Sequence, residues 1–363
     1  MRIAAKPVAL LLIATVLGLV PAGAQQPERG RFEEHMLYSE AIDGNLFGLS
    51  PDRSVIVYLP PGYDGEEVEY PSVYFLHGIF GSNAYLTGGD DPDINVAPVL
   101  DDLMTRGVIP KAVYVFPHAG IEIGGGMYTN SSVFGGWEDF IVEETVGLVD
   151  EHYRTLLSPT SRGIVGHSMG GHGALKIALR HSDVFGAAFV MSPAVLDFGE
   201  DLTSANPAWR QTLEFAAGDD VKRFKGFYPL AFLCIAASFS PAPDRPLPVE
   251  WPYELMEGGD LVLVEPVVER WESEMPLPMA RRDPSHLRNL TALRISVGQQ
   301  DFSPNILQGC RRLTRLLQEQ DVPHEYAEYD GDHLNRIWER FQSEVIPFFA
   351  QHLEGDEVAA PAR

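Results

Sequence analysis

The run Gly166-His167-Ser168-Met169-Gly170-Gly171 sets a serine among glycines, directly after an apolar stretch over 163–166 and before a helix-like stretch over 173–180. A sharp strand–turn–helix turn needs this arrangement, because side chains flanking a strained serine would strike neighbouring backbone. Such a turn lifts the hydroxyl above the sheet edge. It also aims the unpaired amides of a helix start at any negative charge forming there. A serine hydroxyl is a weak nucleophile and needs a base, itself oriented by an acid, in the chain order serine, acid, histidine. Asp301 follows an apolar stretch over 293–297, and His333 follows a strand-like stretch over 324–329 and the turn Asp330-Gly331-Asp332. We take Asp301 as the acid and His333 as the base, with Asp330 and Asp332 as the alternative acids. Two backbone amides must receive the oxyanion of an attacked carbonyl. The Met169 N–H is one. The other is assigned to Ile79, because Tyr74-Phe75-Leu76-His77-Gly78-Ile79-Phe80-Gly81 reads as a strand ending in a glycine turn.

These residues require a scaffold of alternating strands and helices. Strands are expected over 54–58, 72–76, 112–116, 163–166, 187–191, 292–297 and 324–329. Helices are expected over 97–106, 137–153, 169–180, 305–320 and 334–353. Continuous Val/Ile/Tyr/Phe runs mark strands buried on both faces, which predicts an α/β fold with a mostly parallel sheet and helices on both sides. The alternation breaks over 196–290, a Pro- and aromatic-rich stretch with an apolar run over 230–237. A stretch this long inside a compact domain is usually functional. The expected organisation is therefore core over 25–195, an inserted cap over 196–290, core over 291–354 and a polar tail over 355–363.

Composition narrows the partners. The 363 residues carry a formal charge of −24, with 45% apolar and 21% charged side chains. Phosphate backbones and anionic bilayers both select clustered Lys and Arg, so no nucleic-acid or membrane-surface role is expected. Arg2 and Lys6, the apolar run over 8–20 and Ala22-Gly23-Ala24 have the layout of a secretory signal peptide over 1–24. The chain is then expected in the periplasm or medium, with no stable membrane insertion. Cys310 shares a helical stripe with Ile306, Leu313 and Leu317, which suits a small buried side chain better than a bridge to Cys234.

Other features carry less. Asp90, Asp91 and Asp93 read as turn solvation, since they do not complete a calcium loop. His77, His118, His167 and His172 lie near predicted strand ends, where local structural roles account for them better than a shared metal. Gly124-Gly125-Gly126 lacks the Lys-Ser/Thr of a phosphate loop. Residues 127–131 are placed to border the site. Neither cofactor nor metal is expected.

The runs 73–81 and 137–155, the stretch Gly166-His167-Ser168-Met169-Gly170-Gly171-His172-Gly173-Ala174-Leu175, and Asp301 with His333 together resemble the esterase D-like family. That family includes feruloyl esterases, S-formylglutathione hydrolases, enterochelin esterases and antigen 85 mycolyltransferases. The resemblance covers roughly 45–350. It implies an α/β-hydrolase fold, cofactor-free acyl transfer from small-molecule esters, and a Ser168–His333–Asp301 triad. The long insertion departs from compact members. Acyl transfer to a sugar or lipid hydroxyl, and a non-catalytic envelope-binding role, are the competing readings. Nothing in the sequence fixes the oligomeric state.

Overall fold

A computed structural model describes residues 29–355; the leader-like segment and residues 356–363 lie outside them. One sheet contains β1 (Arg31–Tyr38), β2 (Asp52–Leu59), β3 (Ser72–Leu76), β4 (Val113–Pro117), β5 (Arg162–His167), β6 (Ala187–Met191), β7 (Ala292–Gly298) and β8 (Glu325–Tyr329). The order across it is β1-β2-β4-β3-β5-β6-β7-β8. β2 runs antiparallel to both β1 and β4, and the remaining pairs are parallel. Every residue of β3, β4, β5 and β6 is buried, as two-sided burial requires of a parallel sheet covered by helices.

The connecting helices are α1 (Val96–Thr105), α2 over 137–152 and α3 (Met169–Ala178). A π turn, Phe140–Thr145, interrupts α2. After β3 the chain moves outward to β4, then returns across β3 to β5. The strand order therefore reverses between β3 and β5. Crevices at the carboxyl ends of strands flanking such a reversal are where α/β sheets place their ligands. The loop carrying Ile79 leaves β3 there, and Ser168 follows β5 there.

The expected strands and helices are present, most with ends shifted by a residue or two. Two differences are larger. β1 was not expected: its sequence RFEEHMLY has alternating exposed positions and no apolar run, because it lies at the sheet edge. The last helix, α9 over 337–352, starts three residues later than the expected 334. Arg336 is in the left-handed region at φ 64°, and the Asp332 carboxylate caps the Leu334 and Asn335 amides, so 333–336 forms a turn.

The stretch over 196–290 leaves after β6 and returns before β7. It holds α4 (Ala208–Ala216), α5 (Phe227–Phe239), α6 (Glu265–Glu274) and α7 (Pro276–Arg282). Trp209 centres its packing: it stacks on Phe232 at 4.0 Å and meets Tyr253 and Trp271 at 5.2 and 6.0 Å. Aromatic pairs of this kind add about 0.5–1.5 kcal/mol each beyond the area they bury. Cys234 on α5 and Cys310 on α8 (Pro304–Glu319) are both free and buried.

This segment is also tied electrostatically to α3. Lys176, fully buried, donates to Thr129 Oγ1 at 2.7 Å and to Glu274 Oε2 at 2.5 Å. Arg180 joins Glu274 to Glu138, which also meets His181. Burial lowers the Lys176 ammonium to about 8, with Glu274 opposing that shift.

Candidate active site

Ser168 occupies the turn between β5 and α3 with φ 60° and ψ −117°, a conformation that L side chains rarely adopt. The backbone holds it there. Ser168 N–H donates to Met191 O at 3.0 Å, and Ser168 O receives His172 N–H at 2.9 Å and Ala194 N–H at 3.1 Å. The turn is too tight for side chains beside it. A Cβ on Gly170 would lie 1.9 Å from Leu76 O, and one on Gly166 would lie 2.1 Å from Gly170 O.

The three residues singled out by type and order meet. His333 Nε2 is 2.9 Å from Ser168 Oγ, and His333 Nδ1 is 2.7 Å from Asp301 Oδ2. The Asp301 side chain is wholly buried, and that of His333 is 6% exposed. Asp332 is not the partner, since its carboxylate caps the next turn. Asp301 and His333 are brought together by backbone pairing that continues past the parallel strands: Gln299 N–H donates to Tyr329 O and Gln300 N–H to Gly331 O, each at 2.9 Å. With the proton on Nδ1 facing the carboxylate, Nε2 is free to accept the serine proton.

Among the described residues, the Ile79 and Met169 amides have no protein acceptor, and both residues line the space around Ser168. Ile79 sits in a loop that is braced from two sides. Tyr128 O–H donates to His77 O at 2.9 Å, and Phe80 N–H to Gly124 O at 3.3 Å. The glycine run over 124–126 thus has a role that the sequence reading missed. A Cβ on Gly125 would lie 2.5 Å from the Met169 side chain, so the run lets the two candidate donors pack closely. The absence of a lysine had ruled out a phosphate loop, but nothing local pointed to packing beneath a distant serine.

The flanking histidines are structural. His77 Nδ1–H donates to Gly78 O at 2.8 Å while Nε2 accepts Ala119 N–H at 3.0 Å. His167 Nε2–H donates to His333 O at 2.8 Å and so holds the His333 backbone. His172 Nδ1–H faces Ala194 O and Val195 O at 3.3 and 3.2 Å, fixing the loop after β6. His118 is partly buried, its backbone carbonyl held by Arg53. The acidic cluster forms local turns, with Asp90 receiving Ser82 O–H and Asp91 receiving Asp93 N–H. Met127 lines the space beside Ser168, as expected for that loop.

Burial pushes the His77 imidazole down to about 4 and those of His167 and His172 down to about 3, with His333 and Lys176 adding to the last two shifts respectively. Ordinary histidines in an unfolded chain titrate near 6.5. Between about pH 6.5 and 4 the unfolded chain therefore takes up protons that the folded chain refuses. Stability from these groups is full above pH 6.5 and is lost as the pH falls, by roughly 1.4 kcal/mol per pH unit for each group. The urea midpoint is expected to drop progressively from pH 7 to pH 5, and a midpoint that stays level over that range would contradict these neutral, buried rings.

Two spaces open from Ser168. One runs beneath α5 and is lined by Met127, Met169, Val195, Ala231, Phe232 and Ile306 among others. The second is lined by Phe75, His77, Tyr85, His167, His333, Leu334 and Ile337 among others. Phe227 and Phe302 border both, and their rings contact at 6.0 Å.

A family model described as Putative esterase matches residues 48–350. An esterase of Mycobacterium tuberculosis is 28% identical over 232 residues, which cover 57% of this chain and 46% of that protein. The S-formylglutathione hydrolase of Arabidopsis thaliana is 30% identical over 185 residues, covering 48% of this chain and 61% of its own. This chain thus spans only about half the length of the mycobacterial relative that it matches. Among solved structures, a ferulic acid esterase superposes with a TM-score of 0.60 at 21% identity, over 90% of this chain and 100% of that one. An S-formylglutathione hydrolase from Agrobacterium tumefaciens superposes with 0.58 at 16% identity, over 90% and 96%. At these identities the likeness shows the fold, that of the α/β-hydrolases, and the matched span is most of the chain. With this fold and a family match from 48 to 350, the chain belongs to the Putative esterase family.

Proposed function

We propose that the protein is an exported serine esterase that hydrolyses carboxylic esters through an acyl-enzyme on Ser168. The continuous Ser168–His333–Asp301 hydrogen-bonded line, beside two amides with no acceptor among the described residues, carries this reading. His333 takes the Ser168 proton as Oγ attacks the ester carbonyl. Asp301 orients His333 and stabilises the imidazolium that forms, and the Ile79 and Met169 amides receive the oxyanion. His333 then gives its proton to the departing alcohol. Water enters, loses a proton to His333 and releases the acid. The leader-like segment supports action outside the cytoplasmic membrane. No helix among the described residues is long and apolar enough to cross a membrane.

A fluorophosphonate probe applied to the exported, folded protein, followed by mass mapping, tests both parts. Label is expected on the peptide bearing Ser168, in a chain that starts at Gln25. Absence of label from folded protein would remove the catalytic reading and favour a binding role, and a chain retaining residues 1–24 would remove cleavage.

A further inference from the structure

We propose that the space beneath α5 holds the acyl group and the open cleft holds the alcohol, and that both parts of the substrate are neutral and apolar. The proposal rests on the esterase reading and adds the orientation and chemical class of the substrate. The imidazole that removes the Ser168 proton must hand it to the leaving oxygen as the C–O bond breaks, leaving a neutral alcohol and an acyl-serine. The leaving oxygen must therefore come within hydrogen-bond reach of His333 Nε2, roughly 3 Å. His333 lines the open cleft and not the space beneath α5. Met169, whose amide is the candidate donor to the carbonyl oxygen, lines the space beneath α5 and not the cleft. Ser168 and Ile79 border both, which puts the carbonyl carbon at the junction.

The linings set the class. Among the described residues, no Lys or Arg lines either space. In the cleft, the two histidines besides the base, His77 and His167, are buried and engaged with backbone. The acyl side carries a carboxylate, Asp201, which receives the Ser303 hydroxyl, and its other walls are mostly apolar. A carboxylate on either half of the substrate would be desolvated without a cation to meet it. The cleft mouth instead presents Phe302 and Leu334, 53% and 70% exposed, with Phe80 and Phe227 in ring contact beside it at 6.1 Å. Exposed apolar side chains grouped at a catalytic mouth fit an apolar alcohol. An S-acylglutathione, whose leaving group carries two carboxylates, fits this cleft poorly.

Ala231 is the small side chain among Phe227, Tyr228, Phe232 and Ile235 on the acyl side, and Tyr85 lines only the cleft. Ala231→Phe is expected to lower kcat/KM for p-nitrophenyl octanoate at least tenfold relative to p-nitrophenyl acetate. It should leave the ratio of 1-naphthyl acetate to ethyl acetate unchanged. Tyr85→Ala is expected to do the reverse, reducing the naphthyl preference and sparing the chain-length ratio. S-acetylglutathione should be cleaved at least tenfold less efficiently than 1-naphthyl acetate by the unaltered protein. Crossed effects of the two variants would overturn the orientation, and efficient cleavage of S-acetylglutathione would overturn the neutral class. Both outcomes presuppose acetate turnover by the unaltered protein, so they are distinct from loss of the esterase reading, in which no acetate ester is turned over at all.

Discussion

Ser168→Ala is expected to abolish hydrolysis of p-nitrophenyl acetate, with kcat falling on the order of 10⁴-fold or more while the protein stays folded. Among the described residues the hydroxyl hydrogen-bonds only to His333, and the turn is held by backbone bonds from Ser168 N and O that alanine retains. The unfolding midpoint should therefore move little. His333→Ala should cost about as much, and Ser168→Ala/His333→Ala no more than either alone, because the groups act as one unit. Asp301→Asn leaves the shape of the site intact but no longer favours the Nδ1–H tautomer, and a loss on the order of 10³- to 10⁴-fold is expected. Turnover within tenfold of the unaltered protein, in a folded Ser168→Ala sample free of contaminating esterase, would remove Ser168 as the nucleophile.

The second large effect is steric. Gly170→Ala places a methyl group 1.9 Å from Leu76 O and 2.8 Å from His77 O, and neither neighbour is a side chain that can swing away. Either α3 must lift from the sheet or the β3 loop must move, and that loop carries Ile79. A stability loss of at least about 3 kcal/mol is expected, at the upper end for overpacking, with loss of activity in whatever fraction folds. Gly147→Ala is the matched control. It lies in α2, where an added Cβ meets nothing within 4 Å, and a helical Gly→Ala change at such a site gains about 0.5–1 kcal/mol. Urea denaturation of the two variants should move in opposite directions. Equal midpoints would show that the turn is not packed as tightly as these contacts require.

The candidate Ser168, Asp301 and His333 could be read from the sequence because most of each signal was local. Gly166 answers to sterics within five residues, against Gly170 O, and Asp301 and His333 each follow a strand-like stretch whose end can be seen. β1 could not be read in the same way, because an edge strand with mostly polar side chains offers no apolar run. The delayed start of α9 depends on Arg336 adopting a left-handed conformation, which no periodicity reveals. The brace of Gly124-Gly125-Gly126 beneath Met169 and Ile79 joins residues over 40 positions apart, and so does the division of the substrate space by Phe227 and Phe302. Such features come from tertiary packing and become visible only once the chain is folded.

The buried contact of Lys176 with Glu274 constrains how molecules reach and leave Ser168. Swinging 196–290 away as a hinged door would strand an ammonium inside the protein, and separating such a pair costs about 3–5 kcal/mol. That cost opposes opening of the segment at the α3 side. The cleft bordered by Phe302 and Leu334 is then a route for alcohol release and water entry that leaves this ion pair intact.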